Sequence, residues 1–349
     1  GAAPDRPAII QAENWGLLLR QASNVVIQDV VIHGARIAGV DLSPQECESV
    51  GAAARRHEGE RAPETLSGIV LRRVVIMRTA AEPGRNAIRA VGVKGLTLDR
   101  CRIDGWGGAA VQLAGCTSVD IASCRFGAIQ QDAQEQTISI GKGSADVCIR
   151  RCRFEPGLRV GIALGADGEG QAPATGSGLT ETSAGDTPPT SVRSVRIEDS
   201  LFNRVEQPLV IGDVNGLDVT CCTFLDPRQS FVRFDAPQGR AAWASGVTFA
   251  NNLFTWQLNG TRALVLVPAA SAAAAAAGRP DPLAGAVLWN ENLWWSAEHA
   301  VEAPEKLPLP GREGFPQLVD VDPNLDGALM PSSEAARSFG VRPTPSAAP

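Results

Sequence analysis

Ile149-Arg150-Arg151-Cys152-Arg153-Phe154 sets the pattern on which the fold is read: an apolar residue, two variable ones, a small or amide residue, another variable one, and a large apolar residue. The same phrase begins at Ile27, Leu71, Leu98, Ile121, Ile197, Val219, Phe249 and Trp289. Successive copies start 22 to 48 residues apart. One match would be noise, but nine in chain order indicate a structural repeat. Alternating apolar residues on either side of two unmatched positions describe two short strands meeting at a bend. A further strand is expected before each copy, at Gly16–Arg20, Gly39–Leu42, Ala87–Val91, Ala110–Leu113, Thr137–Gly141, Gly161–Gly165, Pro208–Gly212, Phe231–Asp235 and Ala263–Val267. Three strands per turn, repeated nine or ten times, make a solenoid in which each coil pairs with its neighbours.

The repeat, over roughly residues 8–300, resembles the right-handed parallel β-helix of the pectate-lyase-like superfamily. The resemblance implies an all-β, single-stranded parallel β-helix, assigned to residues 1–303; the repeat stops beyond about Glu302, and residues 304–349 read as an irregular tail packed on its end. It also explains the corner residues. Cys101, Cys124, Cys152 and Cys222 share one position with Ser200, Asn252 and Asn292, and in this architecture that corner carries an internal ladder. The eight cysteines contain no C-x-x-C pair, so most are expected to be reduced and packed as small apolar residues. Three stretches break the repeat, at 43–66, 167–192 and 268–284. All three follow the first strand of a coil, so they are expected to leave the solenoid along one edge, where loops build binding surfaces.

Composition narrows the function classes. A net charge of −6 argues against a protein living by phosphate contacts, so no nucleic-acid partner is expected. No apolar run approaches the roughly 20 residues that span a bilayer, so no membrane insertion is expected either. No charged-then-apolar leader opens the sequence, and the secreted, periplasmic or cell-surface location expected of this protein rests on the resemblance alone.

In β-helix enzymes the substrate lies along the outer face of the first-strand sheet. Its outward positions here would be Arg89, Gln112, Ser139, Ala163, Val210 and either Val232 or Arg233, with Asp213 and Asp235 near the strand ends. Coils about 4.8 Å apart would spread Arg89, Gln112 and Ser139 over roughly 10 Å of a polar groove. Beyond them, Ile138-Ser139-Ile140-Gly141-Lys142-Gly143-Ser144, followed by Arg159, resembles the Ile-Ser…Lys-Ser phrase of polysaccharide lyase family 6, the chondroitinase B-like and alginate-lyase-like enzymes. That resemblance implies Lys142 as the base and Glu135 as a calcium-binding acid; the family's arginine position falls near Leu164 or Gly165, so Arg159 or Arg89 would stand in by analogy as the group steadying a uronate carboxylate. Thr137 stands where the family has a second acid, and the serine is offset by one residue.

β-Elimination from a uronide requires a base for the proton beside the carboxylate and positive charge for the resulting enolate. The expected function is therefore a lyase acting on an acidic polysaccharide, with calcium as the one cofactor the resemblance suggests. Gln112, Ser139, Asp213, Arg233 and Asp235 would contact the substrate. Two alternatives stand beside it. One is a non-catalytic glycan-binding or surface-structural solenoid, with Trp106, Trp243 and Trp256 available for stacking. The other is a glycoside hydrolase using Asp213 and Asp235 as a carboxylate pair. Trp289, Trp294 and Trp295 are expected to close the end of the core.

Overall fold

The structure, a computed structural model, describes residues 7–43, 66–79, 82–127, 136–165, 191–235, 244–257, 263–267, 283, 285–296, 309–310, 312–313, 317–319 and 321–341. They form a right-handed parallel β-helix of three parallel sheets with 11, 9 and 10 strands. The nine-stranded sheet consists of the expected first strands, from Trp15–Leu19 to Val265–Leu266. Each coil then adds one strand before the bend, such as Lys94–Asp99, and one after it, such as Arg102–Asp104. The expected insertions at 43–66, 167–192 and 268–284 lie almost wholly outside the described residues, although Val192 already opens a strand.

The bend has one conformational device. Asp29, Arg73, Arg100, Ser123, Arg151, Asp199, Cys221, Asn251 and Glu291 occupy the third position of the nine phrases, all with φ between 45° and 57°. A left-handed residue costs roughly 1–2 kcal/mol when it is not glycine. Here the hydrogen-bonding that follows offsets that cost, because the amide of the left-handed residue reaches the next coil. Arg100 N donates to Ala122 O and Ser123 N to Arg150 O, both at 2.9 Å.

The next residue points inward and builds the ladder. Cys101 Sγ donates to Leu71 O at 3.3 Å and Cys152 Sγ to Ile121 O at 3.4 Å. Downstream the rungs become amides: Asn252 Nδ2 donates to Val219 O at 2.9 Å, while its Oδ1 accepts from Cys222 N at 2.9 Å. Two positions further on, the large apolar residues stack at the coil repeat. Phe154 and Phe202 rings lie 4.4 Å apart, Phe202 and Phe224 4.8 Å, and Phe254 and Trp294 4.0 Å. Trp289 and Trp294 are fully buried at the end of the core, as the sequence suggested, whereas Trp295 is half-buried.

The parallel pairing continues past residue 304. Arg312–Glu313 pairs with Val287–Asn290, and Leu318–Val319 with Leu293–Ser296. Residues 321–341 then lie on the outer face of the eleven-stranded sheet, where Ala336 and Phe339 cover Leu253 and Leu293. Outward positions in that column read Arg102, Arg125 and Arg153 in the earlier coils, and Leu201, Thr223, Leu253 and Leu293 in the later ones. The change from charged to apolar marks where the face is covered.

All seven cysteines among the described residues are free thiols, and all but Cys148 are buried. A hydrogen bond with Cys124, and then burial, push the Cys101 thiol far above the ordinary range; burial also raises Cys116 and pushes Cys222 far up. Little thiolate is therefore present to react. In the native protein the ladder cysteines should label with a thiol reagent at least about a hundredfold more slowly than in denaturant, with Cys148 first among the seven. Fast native labelling of Cys101, Cys124 and Cys152 would contradict the inward corner.

Candidate functional site

The outer face of the nine-stranded sheet carries one column in strict register: Leu18, Asp41, Arg89, Gln112, Ser139, Ala163, Val210, Arg233 and Leu266. Of Val232 and Arg233, left open for the eighth coil, Arg233 is the outward one. The centre of this face is not the open polar groove the sequence suggested. Ser139 is 7%, Ala163 3% and Val210 1% exposed, so small and apolar side chains are buried there and polar groups concentrate at the two ends.

At the first end, Asp41 is 4% exposed and sits between two arginines. Its Oδ2 is 3.9 Å from Arg20 Nη1 and 3.8 Å from Arg89 Nη1. Ser43 Oγ donates to Asp41 Oδ1 at 2.6 Å and accepts from Arg20 Nη1 at 2.6 Å. A carboxylate this buried persists only with such partners. Next to it, Asn86 Nδ2 donates to Gln112 Oε1 at 2.7 Å, while Asn86 Oδ1 accepts from Ala109 N at 2.8 Å. At the far end, Arg233 Nη1 donates to Gln207 Oε1 at 2.9 Å and Nη2 to Asp235 Oδ2 at 2.8 Å, leaving Arg233 Nε buried without a hydrogen-bond partner.

The residues named for elimination do not converge. Lys142 is exposed in the turn after the Gln136–Ile140 strand, where Ser144 N donates to Gly141 O. Arg159 is exposed just before the Val160–Leu164 strand. With Ile138 paired to Ile162, Arg159 stands three residues before that pair and Lys142 four residues after it, seven residues apart along the strand direction. At ~3.3 Å per residue the two side chains start roughly 20 Å apart, on opposite edges of the sheet. Arg89 lies two coils and three residues from Lys142, and its guanidinium already faces Asp41.

Asp213 is buried, 6% exposed, beside Gly165, where a β-carbon would stand 2.2 Å from the Asp213 carbonyl oxygen. Asp235 is held by Arg233. Glu135 lies outside the described residues, and among those described no three His, Cys, Asp or Glu side chains gather to hold a metal. Trp106 is no stacking platform: it is fully buried, and its Nε1 donates to Gln136 O at 2.8 Å. Trp243 lies outside the described residues.

Asp41, Arg20 and Ser43 were missed in the sequence. The signal was present, since Asp41 holds in its strand the place Arg89 holds in the next coil. The long break at 43–66 separates the two coils and hides that register.

No protein-family model and no curated protein sequence matches the chain. Among solved structures, PfbA, a surface adhesin of Streptococcus pneumoniae, is similar at a TM-score of 0.57 and 12% identity, covering 84% of this chain and 70% of the adhesin. The catalytic domain of a GH87 α-1,3-glucanase in complex with tetrasaccharides gives a TM-score of 0.43 and 10% identity, covering 97% of this chain and 59% of that one. The likeness to the adhesin supports the parallel β-helix and nothing finer.

Proposed function

We propose that the chain is a glycan-engaging β-solenoid of the cell surface or extracellular space, which binds an extended polysaccharide without cleaving it. The observation that carries this reading is the dispersal of Lys142, Arg159 and Arg89: elimination needs base and carboxylate clamp around one sugar ring, within hydrogen-bond reach, and these groups start one to two nanometres apart. What the face does offer is a set of preorganised polar groups around Arg20, Asp41, Arg89, Asn86 and Gln112, held by one another at the coil spacing. Side chains already fixed lose little entropy when they bind a polymer of repeating hydroxyls. The similarity in fold to a surface adhesin agrees with this reading.

Retention on immobilised uronate and neutral polysaccharides, with absorbance of the unsaturated product followed in the same samples, tests it. Binding without product is the expected result, with Gln112→Ala weakening retention roughly fivefold, the worth of about 1 kcal/mol. Lys142→Ala should change retention less than twofold. A lyase would instead release unsaturated product and lose at least about a hundredfold in turnover in Lys142→Ala; that outcome would replace the binding reading with the elimination reading. An acidic glycan is the expected ligand class if uronate polymers are retained in preference to neutral ones at low salt.

A further inference from the structure

On a different sheet from the Arg89–Gln112 cluster, the outward positions at the end of the eleven-stranded sheet form a second column. Asn203 pairs with Leu225, Leu225 with Thr255 and Thr255 with Trp295 in four successive coils. The alternation along each strand fixes their direction: Phe202, Phe224, Phe254 and Trp294 stack inward, so the residues after them face out. Here the column borders a cleft of about 380 Å³. Its floor adds Arg204, Asp226, Trp256 and Gln257, and its opposite wall is made by Leu325 and Leu329.

That wall is braced. Asp326 Oδ1 accepts from Ala328 N at 2.8 Å and Met330 N at 2.9 Å, and Asp322 Oδ1 from Asn324 N at 2.7 Å. The segment is anchored further on, where Gly340 N donates to Asn251 O at 3.0 Å and Val341 N to Thr223 Oγ1 at 2.9 Å. Trp256 is pinned from within, its ring edge-on to Phe231 at 6.0 Å and 77°. The cleft is therefore formed before any ligand arrives.

The lining has a definite chemistry. The half-buried Trp295 indole offers flat apolar surface, and the Asn203 and Gln257 amides offer both donors and acceptors. Arg204 Nε lies 3.8 Å from Asp226 Oδ2, so the two opposite charges balance each other. Rings with one apolar face and a rim of hydroxyls fit such a lining, whereas a carboxylate would find no surplus cation in it. The volume sits at the low end of the roughly 300–1,000 Å³ of small-ligand sites, which suits one or two rings. We propose that this cleft binds a neutral mono- or disaccharide unit, stacked against Trp295 and hydrogen-bonded by Asn203 and Gln257. The inference deepens the glycan-engaging reading by adding a separate, end-on site for uncharged sugar.

Saturation-transfer NMR and calorimetry with lactose, maltose and cellobiose, against digalacturonate, test the site. At least one neutral disaccharide should bind, Trp295→Ala should weaken it at least about tenfold, and Asn203→Ala roughly fivefold. Polymer retention through the Arg89–Gln112 face, measured in the same variants, should be unchanged. Should Trp295→Ala fold poorly, Trp295→Phe and Asn203→Ala carry the comparison. Absence of neutral-disaccharide binding at tens of millimolar, or an affinity unmoved by Trp295→Ala or Trp295→Phe and by Asn203→Ala, overturns the site. Tighter binding of digalacturonate overturns the neutral assignment. Loss of polymer retention in Gln112→Ala without any effect on disaccharide binding separates the two sites.

Discussion

Asn252→Ala is expected to lower stability by about 4 kcal/mol, visible as a large fall in the denaturant midpoint at unchanged overall secondary structure. The side chain is fully buried and makes contacts above and below its own coil. Its Oδ1 accepts from Cys222 N, and its Nδ2 donates to Val219 O and to Asn292 Oδ1, each at 2.9 Å. Alanine orphans a buried N–H and a buried C=O of the backbone, at ~1–3 kcal/mol each, and leaves a void where the amide packed. Asn252→Asp separates these terms. It keeps the acceptor for Cys222 N but buries a charge facing the Val219 carbonyl, and only its protonated form can donate there. The folded-state pKa of that aspartate would lie above its unfolded value of about 4, so stability should fall as pH rises through that region and recover in acid. A midpoint shift under 1 kcal/mol for Asn252→Ala would mean that the rungs are decoration on a stack held by the aromatic residues.

The ladder was legible in the sequence because its residues recur at one place in a nine-fold phrase, and the nine-stranded sheet was legible to within a residue or two for the same reason. Register is what periodicity encodes. The pairing of Lys142 with Arg159 was not legible, and the reason is geometric. Only 17 residues separate them, but the chain between leaves one end of a first strand, traverses the other two sheets and returns to the opposite end. Closeness along a solenoid's sequence is therefore a poor guide to closeness on one face. The Asp41 network was hidden by an inserted stretch, and the cover over Leu253 and Leu293 comes from a segment carrying no copy of the repeat. Its only trace was the loss of arginine from an outward column after Arg153.

Gln317 shows most clearly how one residue without a repeat phrase can complete the repeat. It lies beyond the last full coil, 3% exposed, and its amide takes the place the next rung would hold. Its Oε1 accepts from Asn292 N at 3.2 Å, Asn292 Nδ2 at 3.1 Å and Trp294 Nε1 at 3.2 Å, and its Nε2 donates to Trp289 O at 3.1 Å. A solenoid is stabilised coil by coil through its neighbours, so an end rung left without partners opens from that end. Gln317→Ala deprives four buried polar groups of this partner and should weaken the last coil by about 4 kcal/mol. Hydrogen exchange reads this directly: amides of Leu293–Ser296 should exchange up to about a thousandfold faster, while those of Lys94–Asp99 keep their protection. Gln317→Glu, which still accepts three hydrogen bonds but cannot donate to Trp289 O, should fall between wild type and alanine. Uniform acceleration along the whole solenoid would instead mean that the coils melt as one unit and that Gln317 contributes to global stability, with no capping role of its own.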